Sequence, residues 1–63
     1  MEILTWSYHK DHKYLKSEKT SKTNDSHFRI HYDDVMYWPS WSPSPSNNLT
    51  ELLDEAQELF VNI

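Results

Sequence analysis

Residues 48–61 read NLTELLDEAQELFV, and this stretch decides which fold the rest of the chain can adopt. Asn48 is a favourable N-cap, and Glu51 follows three residues later, as in a capping box. At about 100° per residue, the apolar side chains gather on one side of a helix. These are Leu49, Leu52, Leu53, Ala56, Leu59, Phe60 and Ile63. The pattern therefore predicts an amphipathic helix over residues 48–61.

The opposite side of this helix is wholly acidic. Its four carboxylates are Glu51, Asp54, Glu55 and Glu58. The chain has 6 Lys and Arg residues and 10 Asp and Glu residues. All 6 cations and the other 6 acids lie in residues 1–47, so that part is neutral. The helix therefore carries the whole net charge of −4. Two interpretations stay open: a solvated face that keeps the protein soluble, or an anionic surface that docks on a basic groove.

Upstream of the helix, the chain shows the period-two alternation of half-buried strands. In residues 27–32, Phe28, Ile30 and Tyr32 alternate with polar residues, and residues 2–9 alternate in the same way. We predict strands over both segments. Shorter strands are predicted at 14–15, after a turn at 11–13, and at 35–38, after a bend at Asp33-Asp34.

Two segments read as connections rather than regular elements. Residues 16–26 contain no apolar side chain, which predicts an exposed, mobile loop. Residues 39–47 contain all 3 prolines, which lack a backbone N–H donor and favour an extended linker. The chain has no glycine, so positive backbone φ angles fall best on Asn or Asp, for example at Asn24-Asp25, and a glycine-rich phosphate loop is excluded.

Together these elements predict an α+β domain spanning residues 1–63. We expect a small antiparallel sheet of three or four strands in residues 1–38, with the C-terminal helix packed on one face. The core should join two sets of side chains, namely Leu4, Trp6, Tyr8, Phe28, Ile30 and Tyr32 from the sheet and Leu49, Leu52, Leu53, Ala56, Leu59 and Phe60 from the helix. Such a core is thin, and the aromatic residues exceed what it needs, so we also expect a homodimer.

The sequence argues against catalysis and against a cofactor. It has no cysteine, which excludes disulfides and thiolate zinc sites, and no Gly-x-Ser-x-Gly nucleophile motif. We therefore expect no enzyme. The pairs His9/His12 and His27/His31 keep a histidine-based metal site open as an alternative, with one histidine from each strand and Asp33 nearby.

The remaining pattern favours a small acidic binding protein that inhibits or modulates a DNA- or RNA-processing enzyme by imitating phosphates. Small acidic proteins of phages and mobile elements that block host DNA enzymes have this general composition. The residues expected to bind the partner are Glu51, Asp54, Glu55, Glu58, Asp33, Asp34, Tyr37, Trp38 and Trp41, because Trp and Tyr often anchor interfaces. An alternative is a nucleic-acid-binding module that uses the lysines of residues 10–22, Arg29 and exposed aromatics, although the net charge opposes it. Residues 1–5 do not read as a signal peptide, and no transmembrane segment is seen, so we expect a cytoplasmic protein.

Overall fold

The computed structural model describes residues 2–62, so Ile63 of the predicted apolar face lies outside the described residues. Its strands form one antiparallel sheet in the order β1-β2-β3-β4, followed by a single helix. This confirms the predicted α+β class with four strands. The elements are β1 (Trp6–His9), β2 (Tyr14–Thr20), β3 (His27–Tyr32), β4 (Tyr37–Pro39) and α1 (Leu49–Val61), with a 3-10 turn at Lys10–His12 between β1 and β2.

The helix begins where the capping residues predict. The Asn48 side chain accepts a hydrogen bond from the Glu51 backbone N–H at 3.3 Å. Leu52, Ala56 and Phe60, each four residues apart, are buried against the sheet. The Gln57 side chain fastens the chain before β1 to the helix, because it accepts from the Leu4 N–H at 2.7 Å and donates to the Glu2 carbonyl at 2.8 Å.

Strand β2 runs through residues 16–20, where we had predicted a mobile loop, so that part of the prediction is wrong. The reason is a bulge between Lys16 and Thr20 that Ser17 holds together. The Ser17 hydroxyl is buried, accepts from the Phe28 N–H at 2.8 Å and donates to the Lys19 carbonyl at 2.6 Å. A polar strand is stable here because the buried Ser17 hydroxyl forms hydrogen bonds with backbone groups that would otherwise lack a partner beside the core.

The turns use two residues with positive φ, at 53° for Lys13 and 56° for Asp25. Asp25 is one of the Asn or Asp positions that the absence of glycine predicted. Lys13 was not expected, because a long side chain rarely adopts this conformation. It follows the 3-10 turn, and its N–H donates to the Lys10 carbonyl at 3.3 Å.

The core lies between α1 and the centre of the sheet. Its buried apolar side chains are Leu4, Phe28, Ile30, Leu52, Ala56 and Phe60, all of which were predicted. Two predicted members are wrong, because Tyr8 is 59% exposed and Leu59 is 40% exposed. A 13-residue helix is only about 20 Å long and covers part of a four-stranded sheet, so Tyr8 on the edge strand β1 stays outside.

The proline-containing segment begins inside the sheet rather than beyond it. Pro39 is the last residue of β4 and is buried, which is compatible with proline because β4 is an edge strand. The chain then returns alongside the same strand, where Tyr37 and Ser46 exchange two backbone hydrogen bonds of 2.7 and 2.9 Å. This return places Asn48 at the start of the helix.

The sheet has two unlike faces. The covered face packs on α1 and carries Phe28 and Ile30. We call the opposite side the open face, defined by seven side chains: Ser7, His9, Tyr14, Lys16, Arg29, His31 and Trp38. Within residues 2–62, no helix has the length and apolar character needed to cross a membrane.

Candidate functional site

The acidic face of α1 is a continuous carboxylate surface. Glu51, Asp54 and Glu58 are exposed, and Glu55 is half-buried. They line a shallow groove of about 400 Å³ together with Asn48 and Thr50. Both salt bridges found in residues 2–62 use Glu2 near the other end of the chain, so no cation neutralises these four carboxylates.

Trp41 orients one carboxylate of this surface. Its indole Nε1–H donates to Glu55 Oε1 at 2.7 Å. The Trp41 ring also packs edge-on against Phe28, with centroids 5.7 Å apart at 78°. Trp41 therefore belongs mainly to the margin of the core, and its indole N–H holds the Glu55 carboxylate in place.

Trp38 lies on the open face, on the other side of the sheet from Trp41. It is 45% exposed and stands opposite His31 in the strand register. Alternation along β4 and the turn at residues 40–41 turn the two indoles to opposite sides. The Trp38–Trp41 segment therefore does not form one flat strip, as its composition had suggested.

Tyr37 points to the covered face, into an open cleft beside the first turn of α1. Leu15 and Leu49 supply its aliphatic wall, and the cleft volume is about 280 Å³. The other two lining residues are Tyr8 and Tyr32, whose hydroxyls are 2.6 Å apart, and this contact raises the pKa of Tyr32. Of the predicted partner-binding aromatics, Tyr37, Trp38 and Trp41 thus occupy three separate places.

Asp33 closes the turn between β3 and β4. Its Oδ1 accepts from the Met36 and Val35 N–H groups, each at 2.8 Å, and its Oδ2 accepts from Trp38 Nε1 at 3.0 Å. These bonds, led by the one from Met36, lower the pKa of Asp33 below its ordinary value of 3.8. Its carboxylate is thus engaged within the protein, whereas the neighbouring Asp34 is exposed.

An Asp33→Asn variant is expected to be less stable at neutral pH and to show a weaker loss of stability in acid. The lowered pKa of Asp33 means that its contribution is complete above its ordinary pKa of 3.8 and is lost as the pH falls through the folded-state pKa. The asparagine side chain keeps an oxygen for the backbone N–H groups but cannot protonate in this range. The difference between the urea midpoints at about pH 7 and at about pH 3 should therefore be larger for the wild type than for the variant. Glu2, whose pKa is also lowered, contributes equally to both proteins. Parallel pH dependence in the two proteins would contradict this role.

The histidines lie among aromatic rings rather than around a common centre. Tyr14 stands between His9 and His31, with ring centroids 4.8 and 5.0 Å from theirs. Within residues 2–62, no group of three or more His, Asp or Glu side chains is arranged to hold a metal ion. The two-strand histidine site considered from the sequence is therefore not formed in this part of the chain.

A further cleft, with a volume of about 500 Å³, lies between the loop after β2 and Trp41. Its polar groups are largely paired with each other. The hydroxyls of Ser21 and Thr23 are 2.9 Å apart, and the Ser40 hydroxyl accepts from the Arg29 N–H at 3.0 Å. This pairing makes the cleft a weak candidate for a polar ligand.

Sequence reasoning missed Tyr14 and Lys16 as surface residues of interest, because they were placed in a short strand and a loop. The sequence did contain a signal, because Tyr14 and Lys16 flank Leu15 in the alternating pattern of a strand. A strand through so polar a segment was not expected, however. Comparison with known proteins gives no significant match to a family model, a curated protein or a solved structure.

Proposed function

We propose that this protein is a small binding module that modulates a DNA- or RNA-processing enzyme through the acidic face of α1. The observation that carries the proposal is the row of carboxylates Glu51, Asp54, Glu55 and Glu58, which no cation of residues 2–62 neutralises. A basic protein groove is the surface that such a row complements. The proposed site of action is the cytoplasm.

The spacing of these carboxylates supports phosphate mimicry. From Glu51 to Glu58 the helix rises about 10.5 Å, which is about 3.5 Å of axis per carboxylate interval. One strand of DNA carries a phosphate every 3.4 Å or so along its axis. The helix therefore offers a similar linear charge density along a rigid rod, and Trp41 limits the freedom of Glu55 within it.

The proposed anchors need revision. Asp33 is engaged in its own turn, and Trp38 lies on the open face, so neither extends the acidic surface. We retain Asp34 and Tyr37 as proposed contacts near the start of the helix, because Tyr37 shares a cleft with Leu49. A homodimer stays a prediction.

The test is binding to a panel of purified DNA- and RNA-processing enzymes, measured by biolayer interferometry with duplex DNA as competitor. We expect at least one enzyme to bind, to be displaced by duplex DNA, and to bind a Glu51→Gln/Asp54→Asn/Glu58→Gln variant at least about tenfold more weakly, which is roughly 1.4 kcal/mol. Removing like charges from one helix face should not destabilise it, so loss of binding would not reflect unfolding.

The matched control removes three exposed acids outside the helix, as Asp11→Asn/Glu18→Gln/Asp25→Asn. It changes the net charge by the same amount, and asparagine tolerates the positive φ of residue 25. Binding should change little. Equal losses in the two triple variants would show a general charge effect, and no binding by any enzyme of the panel would also contradict the proposal.

A further inference from the structure

The open face carries a row of aromatic rings that crosses the whole sheet. His9, Tyr14, His31 and Trp38 are successive partners in the strand register. The His9 and Tyr14 rings are nearly parallel, at 15°, and the ring of His12 lies 6.1 Å from Tyr14. With strands about 4.8 Å apart, the row spans about 14 Å. No other element of residues 2–62 packs over it, because α1 lies on the covered face.

Beside this row lie two cations with no acidic partner. Lys16 and Arg29 are directly opposite each other on β2 and β3. Because the Tyr32 N–H bonds to the Lys13 carbonyl, the 16–29 pair falls at a non-hydrogen-bonded position, where side chains are closest. Two like charges directly opposite each other on neighbouring strands destabilise the sheet. Among residues 2–62 the only salt bridges are those of Lys19 and Lys22 with Glu2, so the protein itself offers Lys16 and Arg29 no counter-ion.

The acids near the open face are engaged at its margins. Asp33 accepts from the Trp38 indole and from its own turn. Glu18 accepts from the hydroxyls of Thr5 and Ser7, at 3.3 and 3.4 Å. The carboxylates of α1 point away from the sheet, about a helix diameter of 10 Å beyond it, and salt screens charges over about 8 Å at physiological strength. The two cations Lys16 and Arg29 thus lie at the middle of the open face, on β2 and β3, while the nearest carboxylates are held by donors at β1 and in the turn before β4.

We propose that the open face binds single-stranded nucleic acid. Bases would stack on Trp38 and His31, the exposed rings of the row, and backbone phosphates would lie against Lys16 and Arg29. Tyr14, between the rings of His9 and His31, would support the row from within. Exposed aromatics on a four-stranded sheet bind unpaired bases in this way, with cations following the backbone. A duplex keeps its base faces stacked inside, so exposed aromatic rings suit a single strand. This inference does not depend on the acidic helix, which lies on the other side of the molecule.

This surface differs from the one that the lysine series suggested. Lys19 and Lys22 bind Glu2, and Lys22 also lies 5.0 Å from the centroid of Phe60, on the covered face. The lysines of residues 10–22 thus do not act as one basic loop. The strand register places Lys16 beside the aromatic row, directly opposite Arg29.

The test is fluorescence anisotropy with labelled 12-nucleotide oligo-dT, oligo-rU and a 12-base-pair duplex, in about 50 mM NaCl. We expect the full chain to bind the single strands more tightly than the duplex, and the comparison of dT with rU separates DNA from RNA as the source of the ligand. Trp38→Ala should weaken binding about 5- to 150-fold, the range for one stacked base, because this ring is 45% exposed. A Lys16→Ala/Arg29→Ala variant should lower the slope of log affinity against log salt by about two.

Two matched controls separate the open face from general effects. Tyr8→Ala removes a more exposed tyrosine from the covered face, and Lys19→Ala/Lys22→Ala removes two paired lysines, so both should leave binding within about twofold. If far-UV circular dichroism shows that Trp38→Ala disturbs the fold, His31→Ala tests the same row from a second exposed ring. No single-strand binding, equal or tighter duplex binding, or equal losses in the open-face variants and controls would overturn the proposal.

Discussion

Replacing Phe60 by alanine is expected to remove more than half of the free energy that holds the protein folded. Phe60 is 1% exposed and is the largest of the fully buried side chains. Truncating a buried phenylalanine costs about 3–5 kcal/mol through lost transfer energy and the cavity that remains. At the usual 0.05–0.15 kcal/mol per residue, a chain of this length has only about 3–9 kcal/mol of stability in total.

The adjacent residue gives the control for this prediction. Leu59 is on the same helix turn but is 40% exposed, so Leu59→Ala should cost about 1 kcal/mol or less. Urea unfolding followed by far-UV circular dichroism would compare the two variants. If the urea midpoint of Phe60→Ala were close to that of Leu59→Ala, the packing of Phe60 would not be a main source of the stability of the fold.

Trp41→Ala is expected to have the second largest effect, a loss of about 3 kcal/mol. This is the lower end of the range for a buried aromatic residue, because Trp41 is half-buried. Its ring supports Phe28 edge-on, and its indole joins the segment before the helix to Glu55. Trp41→Phe keeps much of the packing but loses the Nε1–H bond, so about 1 kcal/mol should be lost. Unfolding is best followed by circular dichroism, since the substitution removes a fluorophore.

Trp38 supplies a closely matched control for Trp41. Both indoles donate to a carboxylate, Trp38 to Asp33 at 3.0 Å and Trp41 to Glu55 at 2.7 Å. Trp38 is 45% exposed on the open face, so Trp38→Ala should cost about 1 kcal/mol or less. Similar losses at the two positions would show that the indole bond, and not packing on the core, accounts for the stability that Trp41 provides.

These expectations describe a molecule whose charges are separated by its layers. The helix carries the net charge of −4 on its outer side, while Lys16 and Arg29 meet on the opposite side of the sheet. The two proposed ligands, a basic protein groove and a single-stranded nucleic acid, have opposite charges. Each therefore has a face to which it is attracted, and each proposal can fail without affecting the other.

Several features could be predicted from the sequence because they depend on neighbours along the chain. The apolar period of residues 49–60 and the cap at Asn48 sufficed for the helix. The alternation of residues 27–32 sufficed for β3, whose observed bounds are the same. The inward side chains Phe28 and Ile30 followed from that alternation. The acidic face of α1 also followed, since a helix alone determines which residues share a side.

Other features depend on partners that are distant in sequence, and only the tertiary structure decided them. Residues 16–20 form a strand because the Ser17 hydroxyl serves the Phe28 backbone eleven residues away. Tyr8 is exposed because it borders the open cleft beside Leu49, at the start of α1. Trp38 and Trp41 lie on opposite sides of the sheet because the chain turns after β4, where the Ser40 N–H bonds to the Arg29 carbonyl. The acidic helix was thus determined by local periodicity alone. The open face, where Tyr14 meets His9 and His31, exists only because the sheet brings three strands into register.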